Sequence, residues 1–213
     1  MADIRIKSVR EPLTAPAVAR TAVAAIGRAA AMGLLPADET VEVLDVPTLR
    51  RIARYVSRAG VARAATAELL GAGGEAGELA QAARLEAILR RLDEALVHSP
   101  VPEREWGEVG RILGVPLLGR LLGISPSSLR RYATGDRETP DDTAERLHFL
   151  ALLIGDLAGT YNDVGVRRWF DRSRAQLGSR SPAQLLAGDW HADAAGPVAV
   201  RRLAEALLAS PAT

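Results

Sequence analysis

Cysteine is absent from this sequence, aromatic residues make up only 4% of it, and every basic residue except Lys7 is arginine. Without cysteine there is no disulfide framework, no thiolate nucleophile and no thiolate metal site. The scarcity of aromatic residues leaves Ala, Leu and Val to form the core, and such a composition favours helix over sheet. The sequence therefore predicts an all-α protein, and its 213 residues are enough to bury a core without cross-links.

Long apolar runs and a large excess of one charge are missing as well. The longest apolar run spans residues 149–154, whereas a membrane-spanning helix needs about 20 such residues. The N-terminus lacks the pattern of a signal peptide. The formal net charge of +1 is too small to indicate a nucleic-acid-binding protein by bulk charge. We therefore expect a cytoplasmic protein with no membrane partner, whose binding functions depend on local features.

The sequence also lacks the common motifs of catalysis and metal binding. It contains neither a G-x-S-x-G elbow nor a Walker loop. Its three histidines, His98, His148 and His191, do not share the spacing of metal ligands. Asp189 and Asp193 could form a metal trio with His191, but a loop with Asp caps is the better interpretation, and His148 fits a helix-surface or core position. We predict a protein that is not an enzyme, with no catalytic residue, no cofactor and no metal.

Apolar residues recur with a helical period of about 3.6 residues along most of the chain. Residues 1–14 are interpreted as an arm or an edge strand, and the valine-rich residues 40–46 as a short strand. The glycine-rich residues 71–77 are interpreted as a loop or linker, because their glycine spacing does not fit a phosphate-binding loop. Helices are expected at residues 15–32, 47–58, 61–70, 78–97, 103–113, 116–122, 126–133, 141–158, 163–175, 182–187 and 197–209.

A proline-rich break, Ser-Pro-Val-Pro at residues 99–102, separates two amphipathic stretches, and we place the main domain boundary there. Residues 1–98 then form a helical region of unknown role. Residues 103–160 form a helix-turn-helix region, and residues 161–213 form a small helical C-terminal module.

The most informative stretch is VPLLGRLLGISPSSLRRYATGDRETP, residues 115–140. Leucines at helical spacing predict a helix at residues 116–122. Gly123 suits the following tight turn, because glycine adopts a positive φ at little cost. Ser125 suits the N-cap of a second helix, and Pro126 suits its first position. This is the layout of a helix-turn-helix motif, whose second helix enters the major groove of DNA. The alternative is an ordinary αα-hairpin in a helical core.

The second helix of this pair, residues 126–133, carries the candidate DNA contacts. Leu129 and Tyr132 have the spacing of an inward face, while the other positions carry hydroxyl and guanidinium groups that suit base edges and phosphates. We assign base contacts to Ser127, Ser128 and Arg131, and phosphate contacts to Ser125, Arg130, Thr134 and Arg137. Residues 101–160 hold seven Arg against nine acidic residues. A monomer should therefore bind operator DNA weakly, and we expect a homodimer that reads two half-sites about 34 Å apart.

From Gly114 to the end of the chain, the order of the sequence pieces resembles a known family. The pieces are GISPSSLRRYATG, RLHFLALL, VRRWF, QLGSRSPAQLLAGD and VRRLAEAL. Together they resemble the Xre/MbcA/ParS-type antitoxins, the partners of RES-domain toxins. The resemblance implies a helix-turn-helix that binds operator DNA and represses its own operon. It also implies a C-terminal region that masks the active site of a RES-type toxin, which consumes NAD.

The C-terminal region holds the candidate partner contacts. Trp169 and Phe170 are expected to be core anchors. Trp190 lies just past a glycine and beside charged residues, and we interpret it as partly exposed and as a partner contact. The partner surface is assigned to Trp190, Arg201, Arg202 and Leu207. Two other functions remain open. One is a stand-alone helix-turn-helix regulator with an N-terminal sensing or dimerisation domain, and the other is an interaction scaffold that does not bind DNA.

Overall fold

The computed structural model describes residues 2–71 and 78–209. This part of the chain is mainly helical with one short two-stranded sheet, so the prediction of an all-α fold class is confirmed. In chain order the elements are β1 (Asp3–Val9), α1 (Pro16–Ala31), β2 (Thr40–Leu44), α2 (Val46–Arg58), α3 (Arg63–Gly71), α4 (Glu78–Val97), α5 (Pro102–Leu122), α6 (Pro126–Ala133), α7 (Asp141–Leu157), α8 (Asp163–Asp171), a 3-10 turn (Ala175–Leu177), α9 (Pro182–Leu185) and α10 (Ala195–Ala209).

The chain divides into two compact units between Ser99 and Pro100. This position lies inside the proline-rich break at residues 99–102, where the sequence predicts the domain boundary. The regions predicted separately for residues 103–160 and 161–213 belong to the same unit, since α8 packs against α5 and α10 packs against α7. The C-terminal half therefore has one shared core.

In the N-terminal unit, α1 packs against α4, and α3 packs against both α2 and α4. The many alanines of α1 present small side chains, and the helix is buried on all sides from Ala24 to Ala31. Arg28 lies in this stretch, and its Nη1 donates to both carboxylate oxygens of Asp93 on α4 at 2.7 and 2.6 Å. Because a buried guanidinium is costly without a charged partner, this pair fixes the contact between α1 and α4.

The two predicted strands form a parallel pair, from Asp3 beside Thr40 to Val9 beside Leu44. The second strand ends at Leu44 rather than at residue 46, because Asp45 caps α2 and its carboxylate accepts from Thr48 N at 2.9 Å. Of the glycine-rich residues 71–77, the first ends α3, and residues 72–77 lie outside the described part of the chain.

In the C-terminal unit, α5 is kinked at Gly114, whose φ of 75° and ψ of 156° are not helical. The kink lies between the two helices that the sequence predicts here, at residues 103–113 and 116–122. The central helix is α7, which is buried from Arg146 to Leu157 and packs against α5 and α10. Its burial on all sides explains why apolar residues cover most of its circumference.

Several helix boundaries differ from the predicted ones, most of them by one or two residues. α8 ends at Asp171 rather than at residue 175, because Arg174 and Arg180 form an antiparallel bridge that closes the 3-10 turn. α9 ends at Leu185 rather than at residue 187, and α10 begins at Ala195 rather than at residue 197. In the described residues, no single helix is long and apolar enough to span a membrane, and only the bent pair of α5 and α6 meets that criterion when the two are taken together.

Candidate nucleic-acid interface

α5 and α6 are joined by a short turn at Gly123, Ile124 and Ser125. Gly123 has a φ of 67° and a ψ of 28°, the left-handed conformation predicted for this position. The turn folds back on α5, since Ile124 N donates to Gly119 O at 3.0 Å. The two helices are bent by 119° relative to each other. This angle lies in the range of about 90–120° that helix-turn-helix motifs use.

Ser125 is the N-cap of α6, as the sequence predicts. Its Oγ accepts a hydrogen bond from Ser128 N at 3.1 Å, and Pro126 occupies the first turn of the helix. The Oγ of Ser125 also lies 2.9 Å from Ser127 Oγ and 3.1 Å from Ser128 Oγ. Three hydroxyl groups are therefore gathered at the N-terminus of α6, where the backbone amides and the helix dipole favour a negatively charged ligand.

The inner face of α6 is anchored to α5 by aromatic stacking. Leu129 and Tyr132 are buried, as predicted. The ring of Tyr132 stacks on Trp106 with centroids 5.8 Å apart and an interplanar angle of 22°. Trp106 Nε1 donates to Thr139 Oγ1 at 2.9 Å, which holds the segment that follows α6. These contacts fix which face of α6 points outward.

The outward face carries Ser127, Arg130 and Arg131, all exposed, and the half-buried Ser128. Arg130 Nε donates to Pro126 O of the same helix at 3.3 Å. For the side chain of Arg131, the described residues provide neither a hydrogen bond nor an ion pair. Arg131 is therefore free to reach a ligand in front of α6.

Thr134 and Arg137, which follow α6, are exposed but engaged within the protein. Thr134 Oγ1 donates to Arg130 O at 3.0 Å and lies 2.6 Å from Asp136 Oδ2. The guanidinium of Arg137 lies 5.4 Å from the centroid of the Tyr132 ring, a cation–π distance. A phosphate contact by Thr134 would compete with Asp136, whereas no described residue accepts a hydrogen bond from the side-chain N–H groups of Arg137.

The last turn of α5 is capped by residues 186–190, which we call the bracing loop. Trp190 Nε1 donates to Leu121 O at 2.8 Å, and Gly188 N donates to Arg120 O at 3.3 Å. The last carbonyl groups of a helix have no partner within the helix. The bracing loop thus supplies two of the donors that the end of α5 requires, directly before the turn into α6.

Arg146 supplies a third hydrogen-bond donor to the end of α5. Its guanidinium is buried, and Nη1 donates to Leu122 O at 3.5 Å and to Gly188 O at 3.1 Å. Asp142 and Asp189 balance its charge, with N–O distances of 2.5 and 3.2 Å. Partial burial raises the pKa of Asp142, but the hydrogen bond from its neighbour's N–H and the Arg146 guanidinium outweigh this and hold the pKa below its ordinary value.

The interpretation of Trp190 as a partly exposed partner contact is wrong. Its side chain is buried and meets Phe149 edge to face, with centroids 5.1 Å apart. Both the ring and the Nε1–H of Trp190 are used inside the unit. Of the other predicted partner residues, Arg201 is paired with Glu205 at 3.0 Å, while Arg202 is exposed and Leu207 is half-buried.

A buried polar pair near α6 was not predicted. Glu105 on α5 is fully buried, and its Oε1 lies 2.6 Å from Nδ1 of His148, which is buried on α7. Burial raises the pKa of Glu105 above its ordinary value, although the hydrogen bond and charge of His148 act in the opposite direction. The sequence gives no signal for this pair, because Glu105 lies between two other acidic residues, Glu103 and Glu108, near the start of α5.

The structure also shows where the possible metal ligands and the two aromatic residues expected in the core lie. Asp189, His191 and Asp193 are exposed, and no group of metal-ligand residues occurs in residues 2–71 and 78–209. Trp169 and Phe170 are buried, as expected of core anchors.

The comparisons with known proteins give no match: no family model, no curated protein and no solved structure matches this chain. The interpretation of function therefore depends on the geometry around α6 and on the order of the sequence pieces.

Proposed function

We propose that this protein is an antitoxin-like DNA-binding protein: it binds operator DNA through α6, represses its own operon, and binds and neutralises a RES-type toxin. The observation that carries the DNA-binding part is the outward face of α6. This face presents hydroxyl groups at the helix N-terminus and the exposed guanidinium of Arg131, on a helix whose inner face is anchored by Leu129 and Tyr132.

The chemistry of this face fits the major groove of DNA. An arginine with free N–H groups makes two hydrogen bonds to O6 and N7 of guanine, and serine hydroxyls bond to base edges or phosphates. The amides at the N-terminus of α6 favour a phosphate oxygen. In the proposed complex α6 is the recognition helix, with base contacts from Ser127, Ser128 and Arg131.

The charge distribution supports binding by a homodimer. In the part of the chain that the structure describes, the exposed arginines on α6 and directly after it are Arg130, Arg131 and Arg137, with Asp136 among them, while Arg120 at the end of α5 is paired with Asp171. Each phosphate contact contributes about 0.9 to the slope of log affinity against log salt concentration, so one protomer makes only a modest electrostatic contribution. Two protomers on half-sites one helical turn apart would double this electrostatic contribution.

The proposed partner surface is one face of α10, which we call the α10 face and define by Arg201, Arg202, Leu203 and Leu207. Arg202 is exposed, and the two leucines are half-buried one turn apart. A small apolar area with arginine at its edge is a typical docking surface. The toxin would be blocked sterically in the cytoplasm, so the antitoxin needs no catalytic residue and no cofactor. The family resemblance supports this assignment.

Titration of duplex DNA with the full-length protein tests the DNA-binding part. One duplex carries the sequence upstream of the protein's own reading frame, and the other is a scrambled duplex of equal length and composition. We expect tighter binding to the first, with an affinity that falls steeply as salt rises. Equal affinity for the two duplexes at every salt concentration would refute sequence-dependent binding.

The alternative is a stand-alone transcriptional regulator. It is favoured by one observation: the N-terminal half is a compact unit with its own buried core, as a sensing or dimerisation domain would be. Co-expression with the adjacent gene separates the two proposals. An antitoxin restores the growth of cells that express a toxic neighbour, whereas a regulator leaves growth unchanged.

A further inference from the structure

We propose that the bracing loop, residues 186–190, positions α6 for base recognition, and that Trp190 and Arg146 are positioning residues for this site. The inference rests on the proposed DNA-binding function and extends it to side chains that do not touch DNA. It also gives Trp190 a role different from the partner contact that the sequence suggested.

The bracing loop and Arg146 make their hydrogen bonds at the C-terminal end of α5. The carbonyl oxygens of Arg120, Leu121 and Leu122 are the last three of α5, and each accepts from the loop or from Arg146. Directly after them the chain turns by 119° into α6. The direction in which α6 leaves the turn depends on these carbonyl groups, because a helix end without partners frays or tightens into a 3-10 turn.

The turn between α5 and α6 also approaches the bracing loop closely. A Cβ atom placed on Gly123 would lie 2.9 Å from Gly188 O and 3.1 Å from Gly188 Cα. The two backbones are therefore in direct contact, with no space for a side chain. The turn cannot rotate without displacing the bracing loop.

Arg146 is buried where it connects the bracing loop to α5. Its side chain is 9% exposed, while that of its partner Asp189 is 86% exposed. One Nη1 group bridges Leu122 O on α5 and Gly188 O on the loop. A buried cation with bonds to both sides joins the loop to the end of α5 more firmly than a contact made at the surface.

These contacts matter for base recognition more than for phosphate contacts. A bidentate contact to a base edge requires placement within about 0.5 Å, whereas a phosphate attracts an arginine over a longer distance and in many orientations. A small change in the direction of α6 should therefore weaken binding to the operator while leaving binding to unrelated DNA nearly unchanged.

A matched pair of substitutions tests the proposal. Trp190→Phe keeps a buried ring beside Phe149 but removes the donor to Leu121 O. Trp169→Phe is the control: Trp169 is also buried and meets Phe170 edge to face at 5.3 Å, and within the described residues its Nε1 has no hydrogen-bond partner. The affinities of the full-length variants for the upstream duplex and for a scrambled duplex are compared, together with their melting temperatures.

We expect Trp190→Phe to lower the ratio of the two affinities by up to about tenfold, the change that corresponds to the whole free energy of one buried hydrogen bond. We expect Trp169→Phe to leave the ratio unchanged. Arg146→Lys, which keeps the charge but cannot bridge two carbonyl groups in the same plane, should act like Trp190→Phe.

An unchanged ratio in both Trp190→Phe and Arg146→Lys would overturn the proposal. Equal losses on the two duplexes would also overturn it, because a loss of folded protein affects both affinities alike. If the wild-type protein does not distinguish the duplexes, the proposed function itself fails. The wild-type titration therefore separates failure of the function from failure of the positioning role.

Discussion

Trp190 and Leu121 lie 69 residues apart in the sequence, and the indole Nε1–H of Trp190 donates to the carbonyl oxygen of Leu121 at 2.8 Å. This bond connects the loop between α9 and α10 with the end of α5. It makes the C-terminal residues part of the unit that holds α6, rather than a module attached beside it.

The close contact between Gly123 and Gly188 predicts a stability difference between two glycine substitutions. Gly123→Ala and Gly178→Ala both place a side chain at a positive φ, of 67° and 64°, but only the first puts a Cβ against another backbone. Strain at a positive φ costs about 1–2 kcal/mol. We expect Gly178→Ala to lose about this much in urea denaturation and Gly123→Ala to lose clearly more. Equal losses would mean that the turn and the bracing loop do not interlock.

The buried pair of Glu105 and His148 predicts a pH dependence. Burial raises the pKa of Glu105 in the folded protein, against the opposing effect of His148, so the folded state binds this proton more tightly than the unfolded chain does. The stability that results is present at low pH and is lost as the pH rises through the raised pKa. Glu105→Gln keeps a hydrogen-bonding group beside His148 but does not titrate.

We therefore expect the free energy of unfolding of Glu105→Gln, measured relative to that of the wild type, to increase as the pH rises from about 4 to about 8. Urea denaturation at several pH values measures the difference between the two proteins, in which the contributions of titrating groups that do not contact Glu105 largely cancel. A difference that stays constant, or that changes in favour of the wild type, would contradict this account of Glu105.

The local features around α6 could be predicted from the sequence because each depends on neighbouring residues. Gly123 takes the left-handed conformation, Ser125 caps α6, and α6 has the predicted bounds. Trp190 could not be placed in this way. Its neighbours are polar or small, and its burial depends on α5, which is distant in sequence.

The Glu105–His148 pair illustrates the same limit. The two residues are 43 positions apart, and the neighbours of each in the sequence indicate only an ordinary helix residue. The end of α8 was also missed, because the bridge between Arg174 and Arg180 competes with continued helix. Helical periodicity predicts elements and faces, but it does not predict which distant loop covers a helix end.

The shared core of the C-terminal unit predicts how the chain can be divided. A fragment of residues 100–213 should fold alone, since the chain separates into compact units at Ser99. A fragment of residues 100–160 should not, because α7 is buried on all sides and would lose its contact with α10. Circular dichroism and thermal melting of both fragments measure this. A cooperative transition in the shorter fragment would show that residues 161–213 are a separate module.

The α10 face predicts a loss of neutralisation without a loss of folding. Leu207→Asp places a charge on a half-buried leucine of this face, and Arg202→Glu reverses an exposed charge beside it. Val164→Asp is the control, since Val164 is 47% exposed and lies in the first turn of α8, where an acid is favourable. In cells that express the toxic neighbour, we expect the first two variants to fail to restore growth and the control to restore it.

Rescue of growth by both Leu207→Asp and Arg202→Glu would mean that α10 is not the neutralising element. Their binding to the upstream duplex should remain equal to that of the wild type, because the α10 face is not part of the DNA contact.

The most direct test of the account is a comparison of Arg131→Ala with Arg172→Ala in titrations of the upstream duplex. Both residues are exposed, both lie in the C-terminal unit, and each substitution removes one positive charge. If Arg131 makes a bidentate base contact, its loss should weaken operator binding by about 1–3 kcal/mol and relax the preference at one base pair. Arg172→Ala should bind almost like the wild type. An Arg131→Ala protein that binds the upstream duplex with wild-type affinity and base preference would contradict the assignment of α6 as the recognition helix.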